Sequence, residues 1–183
     1  MKKPLVNYET LLTITRAMSM SKDPDKIVRL TVRSIRETLG IKGCALFLFD
    51  SGSDQLQVAA SEGLSENYIN KGPVSALKSI ARSLKDGPVA IYDVTDDPRI
   101  QYPEAAQAEG IASILSVPIF VGGETIGCMR VYTAKPEAFT MEDVNFVQAL
   151  AEIAGILIDV CRLYKGQQEY INVLSTMQEA RDM

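Results

Sequence analysis

The chain has 183 residues, of which 46% are hydrophobic and 23% charged, as is typical of one globular domain with a substantial core. Its net charge of -4 gives no general attraction to nucleic acid, so no nucleic-acid partner is expected. The sequence contains no histidine, which excludes Ser-His-Asp and Cys-His catalysis and histidine-ligated zinc or haem. No cofactor is expected, and with no evident signal peptide or apolar run of roughly 18 residues we expect a cytoplasmic protein without a membrane partner.

The three cysteines point to buried, reduced thiols. Cys44, Cys128 and Cys161 are far apart in apolar segments, without the Cys-x-x-Cys spacing of zinc or redox sites. Cys128 lies two residues from Arg130, and a nearby cation can lower a thiol pKa. A redox role for Cys128 is therefore the alternative to an inert thiol.

Hydrophobic periodicity and turn residues predict an α+β order with a largely antiparallel sheet. Helices are predicted over 5–19, 24–39, 104–109 and about 40 residues from 140 (about 60 Å at 1.5 Å per residue), with one or two short helices within 65–85. Strands are predicted over 43–49, 55–60, 89–92, 113–120 and 125–133. Pro118 indicates a strand end or a bulge, and Gly122-Gly123 indicates a hairpin turn.

Four motifs together resemble the GAF domain family. They are Asp93-Val94-x-x-Asp97-Pro98-Arg99, Gly110-Ile111-x-Ser113-x-Leu115-x-Val117-Pro118-Ile119, Gly123-Glu124-x-Ile126-Gly127 and Pro136-x-x-Phe139-Thr140-x-Glu142-Asp143. The resemblance spans about residues 8–165. It implies a six-stranded antiparallel sheet, with the terminal helices on one face and a ligand pocket under loops and short helices on the other. It further implies a regulatory sensor domain, as in bacterial signalling proteins, and not an enzyme.

The departures from the family's patterns narrow the ligand class. Where cyclic-nucleotide-binding members carry Asn-Lys and Phe-x-x-x-Asp-Glu, this sequence has Ala134-Lys135 and Phe139-x-x-x-Asp143-Val144. The resemblance therefore does not imply cyclic-nucleotide binding. Bilin-binding members need a Cys beside a His, and methionine-sulfoxide-reducing members use clustered pocket cysteines, neither of which is present here.

The candidate ligand site centres on Arg130 in an apolar strand. Alternation places Cys128, Arg130 and Tyr132 on one face, where an Arg and a Tyr suit a carboxylate or phosphate. A cross-strand ion pair or an exposed position is the alternative for Arg130. Ser116 shares a strand face with Ile114, and its hydroxyl would serve either the pocket or the neighbouring backbone.

The loop 93–103 is predicted to lie at the pocket mouth. Tyr92 and Tyr102 are candidate ligand contacts because each has an aromatic body and a polar end, and Arg99 is expected to hold Asp93 so that the loop acts as a lid. Asp96 and Asp97 are interpreted mainly as turn residues. Phe47 or Phe49 would form an apolar wall, the other being core.

The last helix carries a heptad-like apolar stripe that extends past the domain. We predict a homodimer through this stripe and the first helix, or, alternatively, a helix end that frays after about Tyr164. The predicted interface residues are Leu5, Tyr8, Leu12, Ile156, Val160, Leu163, Tyr170, Leu174 and Met177.

These observations predict a GAF-like domain over 1–165 and a helical extension over 166–183. The predicted function is sensing of an unknown small molecule, with an anion as the candidate class, coupled to the dimer helices and read by a signalling partner. The chain would act as a freestanding regulator or as the sensor part of a larger protein. The alternatives are a thiol-dependent reductase of a small sulfoxide and a ligand-free dimerisation scaffold.

Overall fold

The computed structural model describes residues 8–21, 23–49, 55–72, 74–75 and 87–179. The described helices are α1 (Tyr8–Met18), α2 (Pro24–Leu39), α3 (Glu66–Ile69), α4 (Pro103–Ala108) and α5 (Met141–Glu179). The described strands are β1 (Gly43–Phe49), β2 (Gln55–Glu62), β3 (Val74–Ser75), β4 (Val89–Ile91), β5 (Ser113–Val121) and β6 (Glu124–Thr133). Most predicted boundaries agree to within two residues, and the predicted helix start at residue 5 lies outside the described residues.

The strands form one antiparallel sheet in the order β3-β2-β1-β6-β5-β4. The five strands predicted from periodicity form its body. The sixth, β3, contributes only two residues at the edge beside β2, in a segment where short helices were predicted. Within the described residues the sheet has five substantial strands and a two-residue edge pairing, so the six full strands that the resemblance implied are not found there.

Local capping signals in the sequence set the starts of the two longest helices, α2 and α5. The Asp23 side chain accepts a hydrogen bond from the Asp25 backbone N–H, and α2 ends at Gly40 with φ of 62°, as capping rules predict. Before α5, the Asp143 carboxylate accepts a hydrogen bond from Thr140 N–H, and the Asp143 N–H donates to Thr140 Oγ1. This reciprocal pair is a capping box.

Pro118 lies within β5 rather than at its end. It faces Cys128 of β6, and the register shifts just beyond it, between Ile119 and Phe120. β4 pairs with β5 only as far as Ser116, so the missing N–H of Pro118 breaks no ladder with β4. The predicted bulge is thus displaced by one residue.

The sheet is buried on both faces, which explains strands that are apolar at nearly every position. One face packs against the long helices, with Leu115, Val117, Met129 and Val131 in contact with residues of α2 and α5. The other face packs under α3 and α4. We call this second side the site face; its buried members from the sheet include Ala45, Phe47, Ile91, Ile114, Cys128 and Tyr132.

Helix α5 has two different apolar faces. The first packs on the sheet and is buried, with members at alternating spacings of four and three; they are Val147, Ala151, Ala154, Ile158 and Cys161. The second is solvent-exposed and follows the predicted stripe; its apolar members are Ile156, Val160, Leu163, Tyr170, Leu174 and Met177. Corresponding members of the two faces are two residues apart in the sequence. Because two residues correspond to about 200° of rotation, the two faces lie on opposite sides of the helix.

Helix α5 also meets the length and hydropathy criteria of a membrane span over Met141–Met177, with 44% of its most apolar window buried in the protein. These criteria alone are weak evidence, since a core helix of a globular protein meets them as well. Packing against the sheet accounts for the buried apolar face of α5.

Two glycines of α5 should respond to the same substitution with opposite signs. A Cβ on Gly155 would lie 2.8 Å from Ile119 Cγ2 and 2.9 Å from the Phe120 carbonyl oxygen, whereas a Cβ on Gly166 would meet nothing within 4 Å. Ala is favoured over Gly in a helix by about 1 kcal/mol. We expect Gly166→Ala to raise the free energy of unfolding by about that amount and Gly155→Ala to lower it by roughly 1–3 kcal/mol through overpacking. Urea denaturation measures both; equal effects would contradict the close packing of α5 on β5.

Candidate functional site

The site face carries polar side chains in the middle of an apolar layer. Arg130 is only 6% exposed, and Ser116 and Tyr132 are fully buried. Ser116 and Arg130 are direct partners across β5 and β6, so their side chains emerge side by side on the same face. Arg130 is therefore buried, and the alternative of an exposed arginine is wrong.

The guanidinium group of Arg130 lies over an aromatic ring. Its Cζ is 4.8 Å from the centroid of the Phe47 ring, a cation-π geometry. This contact places Phe47 beside Arg130 on the site face. Phe49, two residues along β1, packs against the same cluster, because residues two apart share a strand face; the interpretation of one phenylalanine as separate core is therefore wrong.

Lys71 and Tyr68 extend the site from the segment after β2. The Lys71 ammonium is 3.8 Å from the centroid of the Tyr68 ring and 5.9 Å from that of Tyr102, and it donates to the Tyr68 carbonyl oxygen at 2.9 Å. The Tyr68 ring in turn meets the Tyr132 ring edge-on, with 5.9 Å between centroids. Burial, and then the charge of Arg130, lower the pKa of Lys71 to about 8.

Lys71 and Tyr68 were missed by the sequence analysis. Both precede Gly72-Pro73 in a segment interpreted only as short helices. The available signal was Ser65 three residues before Tyr68, since the Ser65 hydroxyl caps α3 by accepting from the Tyr68 N–H. That cap turns Tyr68 inward, where it is buried.

Two buried hydroxyl groups on this face have no hydrogen-bond partner in the described part of the chain. Ser116 Oγ and the Tyr132 hydroxyl oxygen have no hydrogen-bond partner among the described residues. Burial strongly raises the pKa of Tyr132, so its hydroxyl remains a neutral donor. An unsatisfied buried hydroxyl costs about 1–3 kcal/mol.

The predicted loop contacts divide into two groups. Tyr102 joins the site through its ring, near Lys71. Tyr92 points away, with 59% of the residue exposed, and the Asp93 carboxylate accepts from the Thr95 N–H and hydroxyl, which lowers the Asp93 pKa.

Arg99 does not hold Asp93, contrary to expectation. Its Nε donates to the Asp97 carboxylate at 2.9 Å, and its Nη2 donates to the Ala90 carbonyl oxygen. Asp97 also accepts from the Arg99 N–H, which confirms its turn role. The pairing is local because a bond to a residue two positions away needs no long loop closure. The hydrogen bond to Ala90 ties the loop to β4.

The three cysteines are free and buried, and they lie apart. Cys44 belongs to the helix-side layer, Cys128 to the site face, and Cys161 to α5. Burial raises the pKa of Cys128, and this outweighs the opposing charge of Arg130, so the proximity of Arg130 does not produce a thiolate. No cluster of three metal-ligating side chains occurs within the described ranges.

A polar contact connects the α3 segment to the helix side of the molecule. The Glu109 carboxylate accepts from the Ser65 N–H at 3.0 Å and from the Ser65 hydroxyl, and it lies 3.5 Å from the Lys42 ammonium. Lys42 stands between α2 and β1. Burial alone would raise the pKa of Glu109, but these hydrogen bonds and the Lys42 charge outweigh it and lower that pKa.

Replacing Glu109 should therefore produce a pH-dependent loss of stability. The unfolded pKa of a glutamate is about 4.3, and the folded pKa of Glu109 lies below its unfolded value. The ionised carboxylate therefore stabilises the folded protein above the unfolded pKa, and this stabilisation is lost as the pH falls through the folded pKa. We expect Glu109→Gln to lower the free energy of unfolding by about 1 kcal/mol at pH 7 and by progressively less as the pH falls through the folded pKa of Glu109. Urea denaturation of the wild type and the variant between pH 7 and acidic pH tests the expectation. A difference in the free energy of unfolding that does not change with pH would show that the shape of the Glu109 side chain, and not its charge, stabilises the protein.

Comparisons with known proteins agree with this architecture. The family description "GAF domain" matches residues 21–159, and no curated protein matches the chain. A GAF domain of a phosphoenolpyruvate-protein phosphotransferase from Coxiella burnetii is 21% identical, with a TM-score of 0.76 over 87% of this chain and 96% of that one.

Two further solved structures share the fold. The free methionine-R-sulfoxide reductase from Neisseria meningitidis, in complex with its substrate, is 21% identical, with a TM-score of 0.73 over 86% of this chain and 90% of that one. Residues 122 to 287 of a methyl-accepting chemotaxis protein are 24% identical, with a TM-score of 0.68 over 83% and 98%. At these identities the likeness concerns the fold. With the family match covering most of its length, this chain belongs to the GAF domain family.

Proposed function

We propose that this protein is a regulatory sensor domain that binds a small anionic ligand on the site face. The observation that carries the proposal is a group of buried polar side chains, Arg130, Tyr132 and Ser116, in the middle of an apolar layer. The Ser116 and Tyr132 hydroxyl groups have no hydrogen-bond partner among the described residues, and burying such groups costs free energy unless they gain one. An anion would accept hydrogen bonds from the guanidinium group and both hydroxyls.

The proposed signal passes through the sheet to α5. Arg130 and Tyr132 alternate along β6 with Met129 and Val131, which pack on the opposite layer with α2 and α5. A ligand that repositions β6 would therefore act directly on the helix layer. It can shift the helices only to the extent that it binds their two arrangements with different affinity.

The output of the proposed sensor is a homodimer through the exposed stripe of α5. Ile156, Val160, Leu163, Tyr170, Leu174 and Met177 follow heptad spacing, and apolar side chains at such positions favour helix pairing. Tyr8 and Leu12 of α1 are also exposed, whereas Leu5 lies outside the described residues. We propose that a signalling partner in the cytoplasm reads the arrangement of this dimer.

A thiol-dependent reductase of a small sulfoxide is the alternative from the enzyme class. It rests on a fold shared with the Neisseria enzyme. The separated cysteines and the raised pKa of Cys128 favour ligand binding instead, because the thiolate is the reactive form. The substitution Cys128→Ser distinguishes the reductase from the sensor. A reductase would lose its activity on methionine sulfoxide, whereas the sensor would keep ligand binding.

The sensor proposal is tested by thermal shift with a panel of small organic anions. A ligand that binds only the folded protein at a hundred times its Kd adds about 2.7 kcal/mol of stability. We expect at least one anion to raise the Tm of the wild type and not that of Arg130→Met. A Tm that no anion moves would favour the ligand-free scaffold, and an equal shift in both proteins would place the ligand elsewhere.

A further inference from the structure

The partly buried amine of Lys71 is held by two aromatic rings and one carbonyl oxygen. Its Nζ lies 3.8 Å from the centroid of the Tyr68 ring and 5.9 Å from that of the Tyr102 ring, and it donates to the Tyr68 carbonyl oxygen at 2.9 Å. These contacts keep the amine against apolar surface, whereas most lysine side chains extend their charged end into water.

The Lys71 ammonium has no carboxylate within ion-pair distance in the described part of the chain. Glu109 is close enough to influence it, but the Glu109 carboxylate lies 3.5 Å from the Lys42 ammonium. The aromatic rings attract the charged form, whereas burial without a close counter-ion favours the neutral amine. Burial, and then the charge of Arg130, prevail and lower the pKa of Lys71 to about 8.

This environment makes Lys71 a nucleophile near neutral pH. With that pKa, about a tenth of the Lys71 side chains are neutral at pH 7, against fewer than about one in a thousand for a lysine with the ordinary pKa of about 10.4. The neutral amine is the form that attacks carbonyl compounds, and buried lysines serve proteins in this way. The neighbouring tyrosine rings offer flat apolar surface on which an aromatic body can stack.

We infer that Lys71 is a covalent binding site for a small aromatic aldehyde, which it holds as a reversible imine. The neutral Nζ adds to the carbonyl carbon, and loss of water then breaks the carbon-oxygen bond and forms the carbon-nitrogen double bond. The carbonyl oxygen leaves with both protons of the amine as one water molecule, so the reaction needs no oxidant or reductant. This site goes beyond the proposed anion sensing and does not require an anion at Arg130.

Reductive trapping on the full chain at pH 7 tests the inference. The probe is benzaldehyde with sodium cyanoborohydride, which reduces each imine to a stable amine, and peptide mass spectrometry gives the initial rate at each lysine. Lys42 is the matched control, because it is also partly buried but pairs with Glu109, and Lys165 is an exposed control on α5. We expect Lys71 to react at least about tenfold faster than either, because the gain in neutral amine exceeds the loss of nucleophilicity that accompanies a lower pKa.

A saturated probe of similar size, cyclohexanecarbaldehyde, tests the class of ligand. With rates expressed relative to Lys165, benzaldehyde should be preferred at Lys71, because only its ring and carbonyl group form one flat body that stacks on the tyrosine rings. Modification of Lys71 at the rate of Lys42 and Lys165 would overturn the covalent site, and a fast reaction without this preference would overturn the aromatic class. Fast, aromatic-selective trapping in a protein whose Tm no anion moves would contradict the anion sensor and keep the covalent site.

Discussion

Leu174→Glu is expected to convert the proposed dimer into a monomer at micromolar concentration. Leu174 lies in the exposed stripe, with 47% of the residue accessible, and in a two-fold dimer each substitution occurs twice. Each buried leucine contributes about 1.5–3 kcal/mol, and an unpaired carboxylate in its place adds a desolvation cost. We therefore expect the dimer Kd to rise by more than about a hundredfold, measured by analytical ultracentrifugation.

Asn172→Glu is the matched control for this change. It adds the same charge to the same exposed part of α5, but two residues from Leu174 it lies about 200° around the helix. It should leave the dimer Kd within about twofold. If the wild type sediments as a monomer, or if both variants weaken the dimer equally, the stripe is not the interface.

Two serines of β5 should respond in opposite directions to replacement by alanine. Both are fully buried, but the Ser113 hydroxyl donates to the Tyr92 carbonyl oxygen and accepts from the Glu137 N–H, whereas Ser116 Oγ has no partner among the described residues. Losing satisfied buried hydrogen bonds costs about 1–3 kcal/mol. We expect Ser113→Ala to lower the free energy of unfolding by that amount, and Ser116→Ala to leave it unchanged or raise it.

The two serine variants should rank in the opposite order for ligand affinity, with Ser116→Ala affected more than Ser113→Ala. Ser116→Ala removes a donor from the proposed site, so we expect it to weaken anion binding by about tenfold, and Ser113→Ala to leave it nearly unchanged. Urea denaturation and calorimetry on the same preparations give both quantities. If Ser116→Ala costs as much stability as Ser113→Ala, Ser116 has a structural role and the site loses a member.

The sequence predicts most of the fold because its local signals agree with one another. Capping residues such as Asp23 and Thr140 set helix starts, and double-sided burial makes β1, β5 and the buried part of β6 apolar at most positions. Strand β3 was not foreseen, since a two-residue pairing leaves no periodic pattern. The register shift near Pro118 lies between Ile119 and Phe120 of the β5–β6 pair, and the sequence marks only its neighbourhood, because a proline without an N–H suits a strand end as well as a bulge.

The candidate site is only partly predictable, since side-chain partners depend on tertiary packing. Alternation along β6 was enough to place Arg130 and Tyr132 on one face. Lys71 could not be found, because its burial beside Tyr68 and Tyr102 depends on how the α3 segment packs on the sheet. Arg99 was assigned the wrong acid for a similar reason: Asp93 and Asp97 are both within reach in the sequence, and turn geometry favours Asp97.

Native mass spectrometry of the purified protein tests the central claim most directly, because it reports subunit number and bound small molecules together. The sensor account predicts a dimer that carries an anionic small molecule, and an Arg130→Met protein that remains dimeric and carries none. A monomer of bare polypeptide mass, unchanged by the substitution and by added small anions, would contradict it.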